Sequence, residues 1–241
     1  MKIEAKALTD KGNTRKKNED AYGIYHSEQF YVLADGVGGH KGGDVAAKET
    51  VSQLFYGVHR LFNQLVNCSE DQVQNLLKLN VNETNQIVIN KGKAYRELNG
   101  MASTFCFVFI FSDMAYYSHY GDSRIYLYRE EKLKALTKDH TVAQELQDSN
   151  KFEASKIQKN TLTRAIGLTR SQSAAVQMEP VQSDDVFLLC SDGVFEGLED
   201  IDLAKYLSKN QPSKETLKEI ILGARNNGAK DNITAIILTA S

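Results

Sequence analysis

Hydrophobic and polar positions along the chain switch between a period of two and a helical period, and the switches mark its elements. Residues 2–8, Ala21–Tyr25 and Phe30–Ala34 predict three strands, the last running into Asp35-Gly36. Ala47, Val51, Leu54, Val58, Leu61 and Leu65 then recur at helical spacing, which predicts a long amphipathic helix with one face on a core. A second helix is predicted from Ser69, where Ser69-Glu70-Asp71-Gln72 has the spacing of a capping box. Val73, Leu76, Leu77 and Val81 continue its period toward Gly100.

From Thr104 the pattern returns to strands. Phe105–Phe111, 115–120, 124–128 and 132–136 are closely set and joined by turn residues, which predicts an antiparallel meander. Residues from about 140 to 161 are polar and weakly helical, as in a surface insertion or flap. Further strands are predicted at 176–178, Val186–Cys190 and 233–238, and Leu217, Ile220, Ile221 and Ala224 predict a last helix closed by Gly228. Strand runs broken by helix pairs, without strict alternation, favour a layered α+β architecture of antiparallel sheets with helices outside.

Composition adds bounds to this outline. The 241 residues are 41% hydrophobic and 25% charged, enough for a sizeable core, and with no linker-like stretch a single domain spanning 1–241 is expected. Twenty-nine basic against 31 acidic residues give a net charge of −2. That balance lacks the basic field that nucleic acid or an anionic membrane requires, so a negative substrate must be held locally. The first residues alternate instead of forming the apolar run of a signal peptide, and Phe105–Phe111 is too short to span a bilayer. A soluble, cytoplasmic protein is expected. Cys68, Cys106 and Cys190 have no metal-ligand spacing and an odd count, and are expected to be buried reduced thiols.

Candidate chemistry lies in four aspartates where strands end or begin: Asp35, Asp122, Asp192 and Asp231. Asp-Gly after a strand is commonly a hairpin turn, and Gly121-Asp122-Ser123 fits that bland reading because it joins two evident strands. Asp35 and Asp192 fit it less well, since a glycine loop with a helix follows one and no strand alternation follows the other. Should these strand ends converge, the repulsion of several carboxylates must be relieved by protons or cations. Oxygen donors of this kind suit Mg²⁺ or Mn²⁺, whereas paired His/Cys zinc ligands are absent and the five histidines are scattered in sequence.

The loop from Gly36 to Gly43 meets neither nucleotide fingerprint: Lys41 lacks the Walker context and breaks Gly-x-Gly-x-x-Gly. Its glycines instead permit a tight path that offers the Gly36 carbonyl to a cation beside Asp35. Upstream, Arg15-Lys16-Lys17-Asn18-Glu19-Asp20 reads alone as a solvated turn. Beside an acidic metal cluster, the same run offers a guanidinium to grip phosphate and carboxylates to orient water.

These segments together resemble the metal-dependent protein phosphatases, the type 2C or PPM family. The resemblance rests on Arg15 with Asn18-Glu19-Asp20, Ala34-Asp35-Gly36-Val37-Gly38-Gly39-His40, Met101-Ala102-Ser103-Thr104, Gly121-Asp122-Ser123-Arg124, Leu162-Thr163-Arg164-Ala165-Ile166-Gly167, Ser191-Asp192-Gly193 and Asp231-Asn232-Ile233-Thr234. Their order and spacing run from about residue 7 to 238, and the length is similar to that of short bacterial members made of the catalytic domain alone. The resemblance implies a β-sandwich of two antiparallel sheets flanked by helix pairs, a four-layer αββα arrangement.

It also implies roles. Asp35 would bridge two Mg²⁺ or Mn²⁺ ions, the Gly36 carbonyl would join the second, and Asp192 and Asp231 would complete the first. Asp122 with Asp192 would hold a weaker third ion. Asp20, with Glu19 as a possible helper, would act through water on the metals, and Arg15 would bind the substrate phosphate. Many eukaryotic members carry histidine after the Asp-Gly pair as a proposed general acid, but Val37 stands here, so the acid is unassigned. The implied reaction is direct attack of activated water on a phosphoserine or phosphothreonine monoester of a protein, without a phosphoenzyme. A cognate serine/threonine kinase is implied as a partner, with neither nucleic acid nor membrane, and a monomer is expected. The alternatives are a non-catalytic phosphoprotein-binding domain of the same fold, which retention of the aspartates opposes, and a nuclease or phosphodiesterase, which the charge opposes.

Overall fold

The computed structural model describes residues 1–37, 42–149, 161–169, 173–208 and 213–241. Two five-stranded antiparallel sheets lie among these residues. The first runs in the order β1 (Ile3–Asp10), β10 (Ile233–Ala240), β9 (Val186–Cys190), β6 (Arg124–Arg129), β7 (Lys132–Ala135). The second runs β2 (Ala21–Tyr25), β3 (Phe30–Ala34), β4 (Phe105–Phe111), β5 (Met114–Tyr120), β8 (Gln177–Pro180). Helices α1 (Gly43–Leu65) and α2 (Glu70–Ala94) pack on the second sheet, and α5 (Asp200–Leu207) and α6 (Lys214–Asn226) on the first. Two shorter helices, α3 (Val142–Asp148) and α4 (Asp192–Phe195), lie in connections.

The central strands are apolar throughout because both of their faces are buried. Along β4, Phe105, Phe107 and Phe109 face the α1–α2 layer, while Cys106, Val108 and Ile110 pack between the sheets. Along β9, Phe187 and Leu189 enter the inter-sheet core, and Leu188 and Cys190 meet Leu217, Ile220 and Ala224 of α6. The antiparallel sheets with helices outside expected from the pattern are therefore present, in the four-layer order that the resemblance implies, assembled around three apolar contact zones.

Local signals account for the helix ends. Ser69 and Gln72 form the reciprocal capping box that opens α2, with Ser69 N–H donating to Gln72 Oε1 at 2.8 Å. The helix stops at Ala94, short of Gly100, because the extended backbone of Tyr95 turns the chain so that Leu98 and Met101 join the core below α1. At the end of α6, the N–H of Gly228 closes on the Arg225 carbonyl from a φ of 95°, as expected of a glycine stop.

The meander is not one sheet. β5 pairs with β4 and β8, whereas β6 pairs with β7 and β9, so residues 121–123 cross between sheets. Ser123 Oγ is bonded to Thr104 Oγ1 at 2.7 Å instead of closing a turn, which corrects the hairpin reading of Gly121-Asp122-Ser123. Of the expected flap, 142–148 form α3, capped by Thr141 Oγ1 accepting from the Gln144 N–H at 3.2 Å, while 150–160 lie outside the described residues. His40, Lys41, Gly38 and Gly39 of the glycine loop also lie outside them. Cys106 and Cys190 are buried free thiols, and Cys68 is half-buried and also free. Among the described residues, no helix is long and apolar enough to cross a membrane.

Candidate metal centre

Strand register brings the acids together. Ala21 pairs with Ala34, Phe105 with Tyr120, and Cys190 with both Arg124 and Ala235. Each pair is at or near the end of its ladder, so Asp20, Asp35, Asp122, Asp192 and Asp231 leave their strands at one edge of the sandwich. All five are half-buried.

Asp20 is the most firmly held of them. Its Oδ2 accepts from Thr234 Oγ1 at 2.6 Å and from Ser191 Oγ at 2.9 Å, while its Oδ1 is buried without a partner. Asp35 is placed through its backbone: its N–H donates to Thr104 Oγ1 at 3.0 Å, and its carbonyl accepts from the Thr104 N–H at 2.8 Å. The Gly36 N–H donates to the Glu19 carbonyl at 3.2 Å. Only glycine fits there, since a Cβ would stand 2.4 Å from the Gly43 carbonyl carbon. The Glu19 carboxylate lies by Gly43 at the start of α1, where the helix dipole favours a negative charge.

Asp192 opens α4, and its Oδ1 is likewise buried without a partner. Gly193 lets this turn lie against the Asn232 carbonyl, which a Cβ would approach to 2.1 Å. The Arg15 guanidinium donates to Asp231 Oδ2; the arginine side chain is 43% exposed and the aspartate 18%. Asn232 then anchors the loop that carries Arg15: its Nδ2 donates to the carbonyls of Lys11 (2.8 Å) and Lys17 (3.0 Å), and its Oδ1 accepts from the Glu19 N–H (2.9 Å).

Burial and mutual repulsion push Asp20, Asp35, Asp122 and Asp192 toward their neutral forms. Burial raises Asp20 to about 6, against the hydrogen bonds from Thr234 and Ser191. Asp35 is pushed well above the usual carboxylate range by burial, then by the charges of Asp20, Asp192, Asp231 and Asp122. Asp192 is pushed up by burial, then by Asp122 and Asp231, and burial lifts Asp122 to about 6. Hydrogen bonding to Asp231 raises the Arg15 guanidinium further.

Crowded acids with two unpartnered oxygens fit hard divalent cations, which relieve the repulsion and use those oxygens. Among the described residues, no group of three or more His, Cys, Asp or Glu side chains is placed to hold a metal ion by itself. Ions here would therefore draw on the Gly36 carbonyl and water as well as on carboxylates.

The family model for protein phosphatase 2C matches residues 12–237, a span that contains every one of these acids. The chain belongs to the protein phosphatase 2C family. It is 28% identical to the serine/threonine phosphatase stp of Listeria monocytogenes over 98% of this chain and 95% of that protein. Its fold is similar to that of the serine/threonine phosphatase Stp1 from Staphylococcus aureus, with a TM-score of 0.89 and 28% identity over 100% of this chain and 96% of that one. It is also similar to the catalytic domain of PstP in complex with two manganese ions, with a TM-score of 0.83 and 25% identity over 98% and 97% of the two chains.

In this protein phosphatase 2C chain the structure gathers all seven residues singled out in the sequence: Arg15, Asp20, Asp35, Gly36, Asp122, Asp192 and Asp231. Their supports are a different matter. Ser191, Thr234 and Asn232 neighbour the expected ligands in sequence, but only the β9–β10 pairing reveals which groups they hold. Nor are all the histidines scattered. His119 and His140 stack at 4.3 Å with their rings 10° apart, and desolvation drives His140 down to about 3.

Proposed function

We propose that this chain, a serine/threonine protein phosphatase by family, hydrolyses phosphoserine and phosphothreonine monoesters of proteins by direct attack of water, without a phosphoenzyme. The observation that carries the reading is the convergence of Asp20, Asp35, Asp122, Asp192 and Asp231, with Asp20 Oδ1 and Asp192 Oδ1 buried and unpartnered. Asp35, the Gly36 carbonyl, Asp192 and Asp231 would hold two Mg²⁺ or Mn²⁺ ions, and Asp122 with Asp192 a weaker third. When bound, such ions neutralise phosphoryl charge and acidify water.

The remaining work falls to this chain's own side chains. Asp20, with Oδ2 fixed by two hydroxyls, keeps its other oxygen free to orient a water and accept its proton. Arg15 exchanges Asp231 for the substrate phosphate, which its planar donors match in a bidentate fork. Val37 has no proton to give, and a water in the site could protonate the leaving alkoxide in its place. The chain would act as one catalytic domain, with the segment expected as a flap at about 140–161 contacting the protein part of the substrate. The substrates are phosphoproteins, with a cognate serine/threonine kinase as their source.

The test is phosphate release from phosphoserine, phosphothreonine and phosphotyrosine peptides with Mn²⁺, Mg²⁺ or chelator. Release from the first two, dependent on the ion and lost with chelator, is expected. Undiminished turnover by chelator-stripped protein, or hydrolysis of phosphotyrosine alone, overturns the proposal.

A further inference from the structure

Arg124 lies two residues beyond Asp122 and touches both segments that carry the Asp122 and Asp192 carboxylates. Its Nε and Nη2 donate to Asp139 Oδ1 and Oδ2 at 2.8 and 2.7 Å, a bidentate pair of which the aspartate side chain is only 16% exposed. The face of the guanidinium lies 3.7 Å from the ring centroid of Phe195, the last residue of the single-turn helix that Asp192 opens. Its Nη1 donates to Tyr126 Oη at 3.1 Å, and that hydroxyl donates on to Asp200 Oδ1 at 3.1 Å.

The backbone already joins the two segments where Arg124 pairs with Cys190, and buried Val194 seats α4 on the core, but neither contact fixes how the carboxylate ends beyond the ladder face each other. α4 has four residues and no side-chain cap at its N-terminus, so it does not hold its shape unaided. Residues 121–123 cross between sheets and are pinned at Ser123 Oγ and at the Gly121 carbonyl, which accepts from the His140 N–H at 2.9 Å. His140 is the neighbour of Asp139, so the acid that grips Arg124 is attached to the same crossover. Edge and face of one guanidinium thus lock a closed circuit from Asp122 through Arg124 and Phe195 to Asp192.

We infer that Arg124 is a positioning residue that holds the Asp122 and Asp192 segments at a fixed separation, so that the two carboxylates present a preformed seat for one divalent ion. This rests on the proposed reading of Asp122 and Asp192 as ligands of the weaker ion. Lysine does not replace Arg124, because a point charge offers neither the two-pronged edge nor the flat face.

The test is calorimetric titration of the chelator-stripped full chain with Mn²⁺, alongside thermal melts, for the wild type, Arg124→Lys, Phe195→Leu and Asp122→Asn. In Arg124→Lys the weakest Mn²⁺ site should weaken by roughly tenfold or more, while tighter sites stay within about threefold. Phe195→Leu, which keeps the pair with Asp139, should weaken the same site by a smaller factor and decides the matter if Arg124→Lys does not fold. Asp122→Asn should abolish that site. If Asp122→Asn removes the site but Arg124→Lys and Phe195→Leu bind as the wild type does, the positioning role is wrong and the ligand reading stands. Proportional weakening of every site also overturns it, as general loosening. A weakest site untouched by Asp122→Asn overturns the ligand reading and the positioning role with it.

Discussion

Thr234 donates its hydroxyl to Asp20 Oδ2 at 2.6 Å, joining residues 214 positions apart in the chain. Asp20 stands before β2 of one sheet and Thr234 lies in β10 of the other, so this bond fastens the two sheets at the acidic edge. Thr234 Oγ1 is itself 2.7 Å from Thr9 Oγ1, and its N–H donates to Ser191 Oγ at 3.0 Å. The hydroxyls offset part of the cost of an ionised carboxylate in a buried position.

Thr234→Val removes that support while keeping the side chain's shape. Because the hydrogen bond lowers the Asp20 pKa, its loss raises it, and the acid limb of the kcat–pH profile should move to higher pH. Stability should fall by about 1 kcal/mol. A profile measured at saturating Mn²⁺ that stays in place or moves to lower pH would show that Asp20 does not set this limb.

Asp192→Asn and Arg15→Ala should separate in steady-state kinetics on a phosphopeptide. Asp192 lies among the acids expected to hold the ions, and its loss should lower kcat by roughly 100-fold. Arg15 chiefly binds phosphate, so its truncation should raise KM several-fold with a small effect on kcat. The opposite ranking would mean that the two roles are exchanged.

Metal-free protein should lose stability as pH rises. Burial pushes Asp20 and Asp122 up to about 6 in the fold, against 3.8 for a free aspartate, and burial with neighbouring charges also pushes Asp35 and Asp192 well above 3.8. At or below about pH 4 these groups are largely protonated in the folded state, and their favourable contribution is lost as pH climbs through 6 and beyond, where the folded state must carry buried, repelling charges. Mn²⁺ reverses that penalty, so the rise in Tm that it causes should be roughly twofold larger at pH 7.5 than at pH 5. Thermal melts with and without Mn²⁺ at both pH values check this, and an equal or smaller rise at pH 7.5 would count against an acid-built ion site.

Asn232→Ala should behave as a remote version of Arg15→Ala. Three bonds from one buried amide hold the 11–19 loop, so their loss frees the loop and raises KM several-fold. Amide hydrogen exchange should quicken within residues 11–19 and remain slow in β9 and β10. Unchanged exchange in the loop would mean that other contacts hold Arg15 in place.

Much of the fold is legible in local pattern. The capping box at Ser69, the apolar strand at Phe105–Phe111 and the glycine stop at Gly228 all depend on neighbours within a few residues, and each is present as expected. The meander was misread because a three-residue connection between two apolar strands has the same pattern whether it closes a hairpin or crosses between sheets. Gly121-Asp122-Ser123 crosses, and Thr104, not a strand partner, takes the Ser123 hydroxyl.

The candidate site divides along the same line. Sequence alone determined that Asp35, Asp122, Asp192 and Asp231 stand at strand ends, that Arg15 and Asp20 precede β2, and that their type and order match one phosphatase family, since residue identity and spacing are local properties. Tertiary structure alone decided that Thr234 and Ser191 hold Asp20, that Asn232 holds the Arg15 loop, and that Arg124 stacks on Phe195. Those contacts depend on sheet register and on how two sheets pack, which join groups up to 221 residues apart and are set by the burial of whole faces rather than by any pattern within one segment.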